Sequence, residues 1–414
     1  MTAMVNEEAA SAFDFIVEQH FENASFQWIL LQHAFTQPHY FNEDILELKQ
    51  RISQNLEGLF KNPELAWQLC EDTFDLADRG EFFTSCILAF KSNENAKIER
   101  VVNLANSDTT LVPAICSALG WLDNDTCEYW LKQFFLSKVL EHKIIALEVC
   151  AHTGRPAQEQ IKRFLNRDDC VQHVPLMCSC IRLIGKSKMH SFTPHIEALL
   201  AHDDDNIKFY SAWSLCLLGI PSGLEALTEY ALTEGPYQSP AIELVFRFLP
   251  QAAARRYISQ MAEAGPSRSV LKAAAALGDP QIVNWLLGIM QDDQWARAAA
   301  ETLNHITGIE IEAEGLTKDA PEGLEFGPND DPSNDNTRFD DDENLPWPDH
   351  SKIATYWEQA NSHFQKGERY FLGGRLEPSY LQQILASGSQ RQRISAALHL
   401  ASSAKEQALI DVCF

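Results

Sequence analysis

The sequence predicts an all-α fold in which short antiparallel helix pairs stack into an α-solenoid. Two observations predict it. A short apolar run that ends in glycine or proline recurs along the chain, and the residues between successive runs repeat apolar positions with helical periodicity. The runs end at Gly120, Gly154, Gly185, Gly219, Pro250, Gly278 and Gly308, which gives intervals of 34, 31, 34, 31, 28 and 30 residues. A spacing of about 30 to 35 residues is typical of a repeat made of two helices.

The second helix of each interval is predicted to end at its closing glycine. A helix C-terminus favours a residue that is free to take a positive φ, and glycine does so without steric cost. One face of the helix before Gly219 can pack inward, because apolar and small residues recur there at helical spacing, namely Ile207, Tyr210, Ser211, Ser214 and Leu218.

The starts of the helices carry a different signal. Proline follows a capping side chain at Thr193-Pro194 and at Asp279-Pro280, as expected for a first helical turn. Acidic turns at 166–169, 203–205 and 292–293 separate the two helices of a pair. We interpret their aspartates as caps for the next helix, whose N-terminus carries a partial positive charge.

This unit of helix, acidic turn, helix and glycine break resembles the HEAT-like repeats of the phycobilisome-lyase type. The resemblance runs from about residue 80 to residue 310. It implies an architecture rather than an activity, since such repeats serve many functions.

Four segments are predicted along the chain: a helical N-terminal cap at 1–80, the HEAT-like repeat array at 81–309, an acidic linker at 310–349 and a helical C-terminal tail at 350–414. The cap is expected because the terminal unit of a solenoid covers an apolar face that would otherwise be exposed. The linker holds 14 acidic and two basic residues, and several prolines and glycines. Such a composition predicts an extended or poorly ordered connection.

Charge excludes several classes of partner. The 58 acidic and 33 basic residues give a net charge of −25, which repels phosphate backbones and anionic lipid headgroups. We therefore expect no binding to nucleic acid or membranes. The first residues lack the charged and apolar regions of a secretory signal, and no long apolar run occurs, so a cytoplasmic protein is expected.

Possible metal sites are weak in this sequence. The residues Cys170, His173, Cys178, Cys180, His190 and His195 lie close together but form no CxxC pair, so we interpret them as core and surface positions. Oxygen side chains alternate between Asp331 and Asp342 as in a calcium loop, but the glycine of that loop is replaced by Asn336. No nucleophile elbow, phosphate-binding loop or HExxH motif occurs, so the sequence predicts no enzyme, no catalytic residue and no cofactor.

The most distinctive string is FDDDENLPWPD, where acids run into a tryptophan between two prolines. One interpretation is that Trp347 fixes the linker to the array while the acids stay solvated. The other is a linear element that meets a basic partner surface. The candidate partner-binding residues on the second interpretation are Asp340, Asp341, Asp342, Glu343 and Trp347.

Nearly the whole chain resembles an uncharacterised family of bacterial HEAT-like proteins encoded near type VI secretion genes. The motifs that carry the resemblance are FQWILLQHAFTQPHY, CSALGWL, AAAETLNHITGIEI, DDDENLPWPD, RYFLGGRL and QRQRISAALHLA. It implies a role as an adaptor, chaperone or accessory factor, with a secreted effector, a chaperone or a spike component as partner. It supplies no catalytic residue.

The predicted function is therefore that of a protein-binding scaffold associated with type VI secretion. One alternative is an immunity protein that occludes a toxin. A second alternative is an enzyme of the lyase or hydroxylase type built on HEAT-like repeats.

Overall fold

The computed structural model describes residues 2–75, 78–322 and 340–414, with side chains from Asp14 onward. The described residues are mostly helical and hold a single two-stranded hairpin, so the predicted all-α class is confirmed. The α-helices are α1 Thr2–Ala34, α2 Asn42–Leu59, α3 Pro63–Thr73, α4 Arg79–Ser92, α5 Asn95–Ser107, α6 Val112–Trp121, α7 Asn124–Leu136, α8 Leu140–Thr153, α9 Gln158–Phe164, α10 Asp168–Val171, α11 Val174–Lys186, α12 Thr193–Ala198, α13 Asp205–Leu217, α14 Pro221–Leu232, α15 Gln238–Phe248, α16 Gln251–Met261, α17 Arg268–Leu277, α18 Val283–Ile289, α19 Ala296–Thr307, α20 His350–Ala360, α21 Pro378–Ser387 and α22 Gln390–Ser403.

Short 3₁₀ turns and one hairpin complete the described secondary structure. The 3₁₀ turns are Thr109–Leu111, His190–Phe192, Leu199–Ala201, Ala262–Ala264, Pro280–Ile282 and Asn361–His363. The hairpin pairs β1, Tyr370–Phe371, with β2, Gly374–Arg375, in antiparallel register. Its two-residue turn takes positive φ at both Leu372 and Gly373, which matches the right-handed twist of paired strands.

Glycine ends some of the predicted helices but not all of them. The prediction is correct for α8, α13, α17 and α19, which end next to Gly154, Gly219, Gly278 and Gly308, all with positive φ. Gly120 and Gly185 are instead the penultimate residues of α6 and α11, so these helices also end close to the glycine, but the expected positive φ is not found there. A glycine after an apolar run can have two roles. It can take a positive φ after the last helical turn, or it can leave space in the last turn for a neighbouring side chain, and the run itself does not distinguish them.

Aspartates cap several helices, but of the three acidic turns only 203–205 caps the helix that follows it, because α10 and α19 have no side-chain cap. The side chain of Asp204 accepts hydrogen bonds from the backbone N–H groups of Asn206 and Ile207 at 2.9 and 3.2 Å. Asp279 caps the 3₁₀ turn that follows it and also pairs with Arg255. The prediction fails at Thr193, because α12 begins with that residue and its N-terminus has no side-chain cap.

The chain divides into two compact units. Unit 1 comprises residues 1–189 and 410–414, and unit 2 comprises residues 190–409. These boundaries differ from the predicted segments, because the array expected at 81–309 is shared between the two units. The repeat spacing continues through residue 190, so the sequence gives no signal of the division there.

Unit 1 is built on a row of alternate helices, in which α4 packs against α6, α6 against α8 and α8 against α11. The long helix α1 packs against α2 and α4. Its buried residues lie on one face at a regular helical spacing, namely Val17, Phe21, Ala24, Trp28 and Leu31. The ring of Trp28 stacks on Phe83 of α4, with centroids 5.1 Å apart.

Unit 2 repeats this arrangement with α13, α15, α17 and α19, in which each helix packs against the next. The predicted helical tail packs on this row, since α22 contacts α15. The hairpin covers the ends of two helices. The backbone N–H of Tyr370 donates to the carbonyl of Gly278 at 2.7 Å, and that of Leu372 donates to the carbonyl of His305 at 2.7 Å.

The cysteines lie mostly in the core. All ten are free, nine of them are buried and Cys413 is partly buried. Burial raises the pKa of the Cys70 thiol to about 12, so the thiol stays protonated and behaves as a small apolar group. In the part of the chain that the structure describes, no helix is both long and apolar enough to cross a membrane.

Candidate functional site

The acidic string that the sequence singled out lies against unit 2. The carboxylate of Asp342 is only 3% exposed and accepts two hydrogen bonds from the Arg268 guanidinium, at 2.9 and 2.8 Å. These bonds raise the pKa of Arg268 against the opposing effect of its partial burial. Arg268 begins α17, so the string is attached to the central row of helices.

A second arginine holds the same string from α19. Arg297 is buried and donates to the carbonyl of Asp342 at 2.8 Å and to the carboxylate of Asp340 at 2.6 Å. Its guanidinium also lies over the ring of Trp347, 4.5 Å from the centroid, in a cation–π contact. We call Arg268 and Arg297 the arginine clasp.

The arginine clasp changes the interpretation of the five candidate partner-binding residues. Asp340 and Asp342 already bind arginines of this chain, and Trp347 is covered by one of them. Of the five, only Asp341 and Glu343 are exposed, and Asp341 also lies 3.4 Å from Arg268. Trp347 thus fixes the segment, as the first interpretation holds, but the acids beside it are not all solvated.

The rest of the predicted linker is also partly packed. Ile311 and Leu316 are buried, and Thr317 forms an isolated antiparallel bridge with Pro348. An extended or poorly ordered connection does not describe these residues. Residues 323–339 lie outside the described ranges, and they include most of the window considered for calcium, from Asp331 onward.

The residues considered for zinc do not converge. Among the described residues, no group of three or more His, Cys, Asp or Glu side chains is arranged to hold a metal ion. Cys170, Cys178 and Cys180 are buried thiols in unit 1. His173 accepts a hydrogen bond from the backbone N–H of Leu176 at 3.3 Å, so it caps the start of α11.

A cluster of histidine and arginine side chains lies inside unit 2. Phe371 lies between His305 and His399, with ring centroids at 6.0 and 5.1 Å. Burial and the nearby charges of Arg247 and Arg369 hold the pKa of His399 well below its usual range, and burial lowers the pKa of Arg247 to about 10. The Nε2 of His399 and the Nε of Arg247 are buried and have no hydrogen-bond partner among the residues that the structure describes.

An exposed apolar stripe on α1 is the surface feature that the sequence analysis missed. Phe15, Phe26 and Ile29 are 57%, 65% and 38% exposed, on the face of the helix opposite its buried residues. The exposed acids Glu18 and Glu22 lie between them on the same face. We call these five residues the α1 stripe.

The part of the sequence that contains the α1 stripe is strongly acidic. The chain holds eight acidic residues and no lysine or arginine before Lys49. This absence of basic residues was visible in the sequence and could have drawn attention to α1. Large exposed apolar side chains on a structured helix are typical of a surface that binds another protein.

Comparison with known proteins adds no relative. No family model matches the sequence, and no curated protein or solved structure matches it significantly. We therefore infer the function from the exposure and the charge of the side chains described above.

Proposed function

We propose that this protein is a protein-binding scaffold that uses the α1 stripe to dock a partner segment with apolar and basic side chains. The observation that carries the proposal is the exposure of Phe15 and Phe26 on a helix that contains no lysine or arginine. Aromatic side chains supply much of the binding energy at protein interfaces. Acids beside them favour a partner of opposite charge and increase its rate of association.

An amphipathic helix with lysine or arginine beside its apolar face suits this surface. Such a helix buries residues at i, i+3, i+4 and i+7 against an apolar strip. The stripe spans Phe15 to Ile29, which is about 20 Å at 1.5 Å per residue. A partner helix of about four turns would cover it.

The wider context is a proposal as well. We propose that the stacked helix pairs belong to a HEAT-like solenoid, supported by the rows of alternate helices in each unit. We also propose that the partner is an effector, chaperone or spike component of type VI secretion, supported by the resemblance of the sequence motifs.

The test measures binding of purified effector, chaperone and spike proteins from a type VI secretion locus to the full chain by calorimetry. In the variant Phe15→Ser/Phe26→Ser, the affinity for the true partner is expected to fall at least tenfold. Leu136→Ser is the matched control, because Leu136 is 67% exposed on another helix of the same unit. The affinity is also expected to fall with rising salt, since the partner is basic.

Two results would refute the proposal. One is that none of these proteins binds the full chain. The other is that a bound protein has the same affinity for the double variant as for the control.

A further inference from the structure

Unit 1 contains a short segment from far along the sequence. Residues 410–414 belong to unit 1, although residues 190–409 before them form unit 2. We call residues 410–414 the strap. It has no helix or strand, and neither do the residues that follow α22 and lead to it. Two of its residues, Asp411 and Phe414, contact the helices of unit 1.

The first of these contacts is made by Asp411. Its Oδ2 accepts hydrogen bonds from Nδ1 of His152 at 2.8 Å and from Nζ of Lys186 at 2.9 Å. Its Oδ1 accepts the backbone N–H of Cys413 at 3.0 Å, which bends the strap. Burial opposes the charge of Asp411, but His152 and Lys186 outweigh it and hold the pKa of this carboxyl well below its usual range.

The second contact is made by Phe414. Its ring stacks on the imidazole of His152, with centroids 4.8 Å apart and planes 10° from parallel. It lies against Gly120, the penultimate residue of α6, where a Cβ would overlap the ring. Its carbonyl oxygen accepts a hydrogen bond from Nζ of Lys49 at 2.6 Å. This close approach explains why a glycine stands inside α6.

We propose that the groove formed by Lys49, Gly120, His152 and Lys186 is a recognition site for peptides in which phenylalanine follows aspartate by three residues. The strap is its built-in occupant and competes with a segment of a partner protein. The groove contributes two lysines and a histidine, so it selects an acidic and aromatic ligand. The α1 stripe selects the opposite charge, so this inference goes beyond the proposed function and is independent of it.

The strap has the properties of a competitor that can be displaced. It forms no strand with the groove, and the contacts described above involve the side chain of Asp411 and the ring and carbonyl of Phe414. The segment leading to it is largely exposed at Lys405, Glu406 and Ala408. A ligand with an aspartate and a phenylalanine at the same spacing gains the same contacts. Its apparent affinity is the intrinsic affinity multiplied by the fraction of molecules in which the strap has left the groove.

The test uses the full chain with the strap weakened by Asp411→Asn/Phe414→Ala. The probe is a fluorescent peptide with the sequence of residues 409–414, in which serine replaces the cysteine, and binding is measured by anisotropy. The weakened variant is expected to bind the peptide at least tenfold more tightly than the wild-type chain. Adding Gly120→Val, which fills the space for the ring, is expected to abolish this gain. Peptides with asparagine for aspartate, or alanine for phenylalanine, serve as matched controls.

Hydrogen exchange of the wild-type chain provides a second measurement that needs no variant. Excess peptide is expected to increase exchange in the strap while the helices that form the groove stay protected. The proposal is refuted if the peptide neither binds the folded weakened variant more tightly nor increases exchange in the strap. It is also refuted if Gly120→Val leaves the gain intact. A wild-type dimer that dissociates in the weakened variant would make a second copy the occupant and would refute an external partner.

Discussion

The strap of unit 1 and the acidic segment of unit 2 are both irregular segments that aspartates attach to helices, yet the attachments differ in kind. In unit 2 the aspartates meet guanidinium groups, which stay charged at all ordinary pH values and bind both carboxylate oxygens. In unit 1 a histidine and a lysine share one oxygen of Asp411. From this difference we expect the segment of unit 2 to be a permanent part of the fold and the strap of unit 1, on the proposal above, to be the releasable one.

The largest expected effect is on the permanent attachment. Arg297→Ala should lower the free energy of unfolding of unit 2 by about 3 kcal/mol, because it leaves the largely buried Asp340 carboxylate without its partner. Urea-induced unfolding measures this change. Lys318→Ala is the control, since it breaks the half-exposed pair with Asp293 and should cost less than about 0.5 kcal/mol. Equal losses in the two variants would contradict the distinction.

A smaller effect is expected for the releasable attachment. Asp411→Asn should destabilise unit 1 by about 2 kcal/mol, because it weakens two charge-assisted hydrogen bonds. Hydrogen exchange should show the change in α8 and α11, with no change in unit 2. Glu406→Gln, at an exposed acid of unit 2, should leave both units unaffected. A loss of protection in unit 2 caused by Asp411→Asn would contradict the assignment of the strap to unit 1.

The same carboxyl predicts how unit 1 responds to acid. The pKa of Asp411 is lowered in the folded state, so the unfolded chain takes up the proton first. The stabilisation is therefore complete above the ordinary carboxyl pKa of about 3.9 and is lost as the pH falls below it toward the folded pKa. The stability difference between wild type and Asp411→Asn, measured by unfolding at pH 3 to 5, should shrink as the pH falls below about 4. A stability difference that grows as the pH falls would contradict this prediction.

The smallest effect concerns the buried cluster of unit 2. His399→Leu should leave the stability unchanged or raise it by up to about 1 kcal/mol, because Nε2 of His399 is buried without a partner in the described parts of the chain. His305→Leu is the matched change, since Nδ1 of His305 bonds to the carbonyl of Glu301 at 3.1 Å and this bond is lost. Thermal unfolding compares the two variants. A larger loss for His399→Leu would show that its Nε2 does have a partner.

Local features of the fold were predictable from the sequence. The helices follow from apolar periodicity, and the caps at Asp204 and Gly278 follow from the chemistry of helix ends. These features depend on residues within one turn of each other. The sequence therefore contains all the information that a reader needs to find them.

The contacts that define the candidate sites were not predictable in this way. Gly120 looks like a helix cap with positive φ until Phe414 is known to lie against it. Asp342 looks like part of a solvated acidic run until Arg268 and Arg297 are found beside it. Each contact joins residues far apart in the sequence, and periodicity carries no information about such pairs.

The division of unit 1 between two parts of the chain has a consequence for its synthesis. At about 5 to 20 residues per second, a ribosome needs roughly 10 to 45 s to make the 220 residues from 190 to 409. During that interval the groove around Gly120 and His152 has no strap from its own chain. If the groove binds an acidic and aromatic ligand as we propose, a newly made unit 1 is open to that ligand before its own strap can close it.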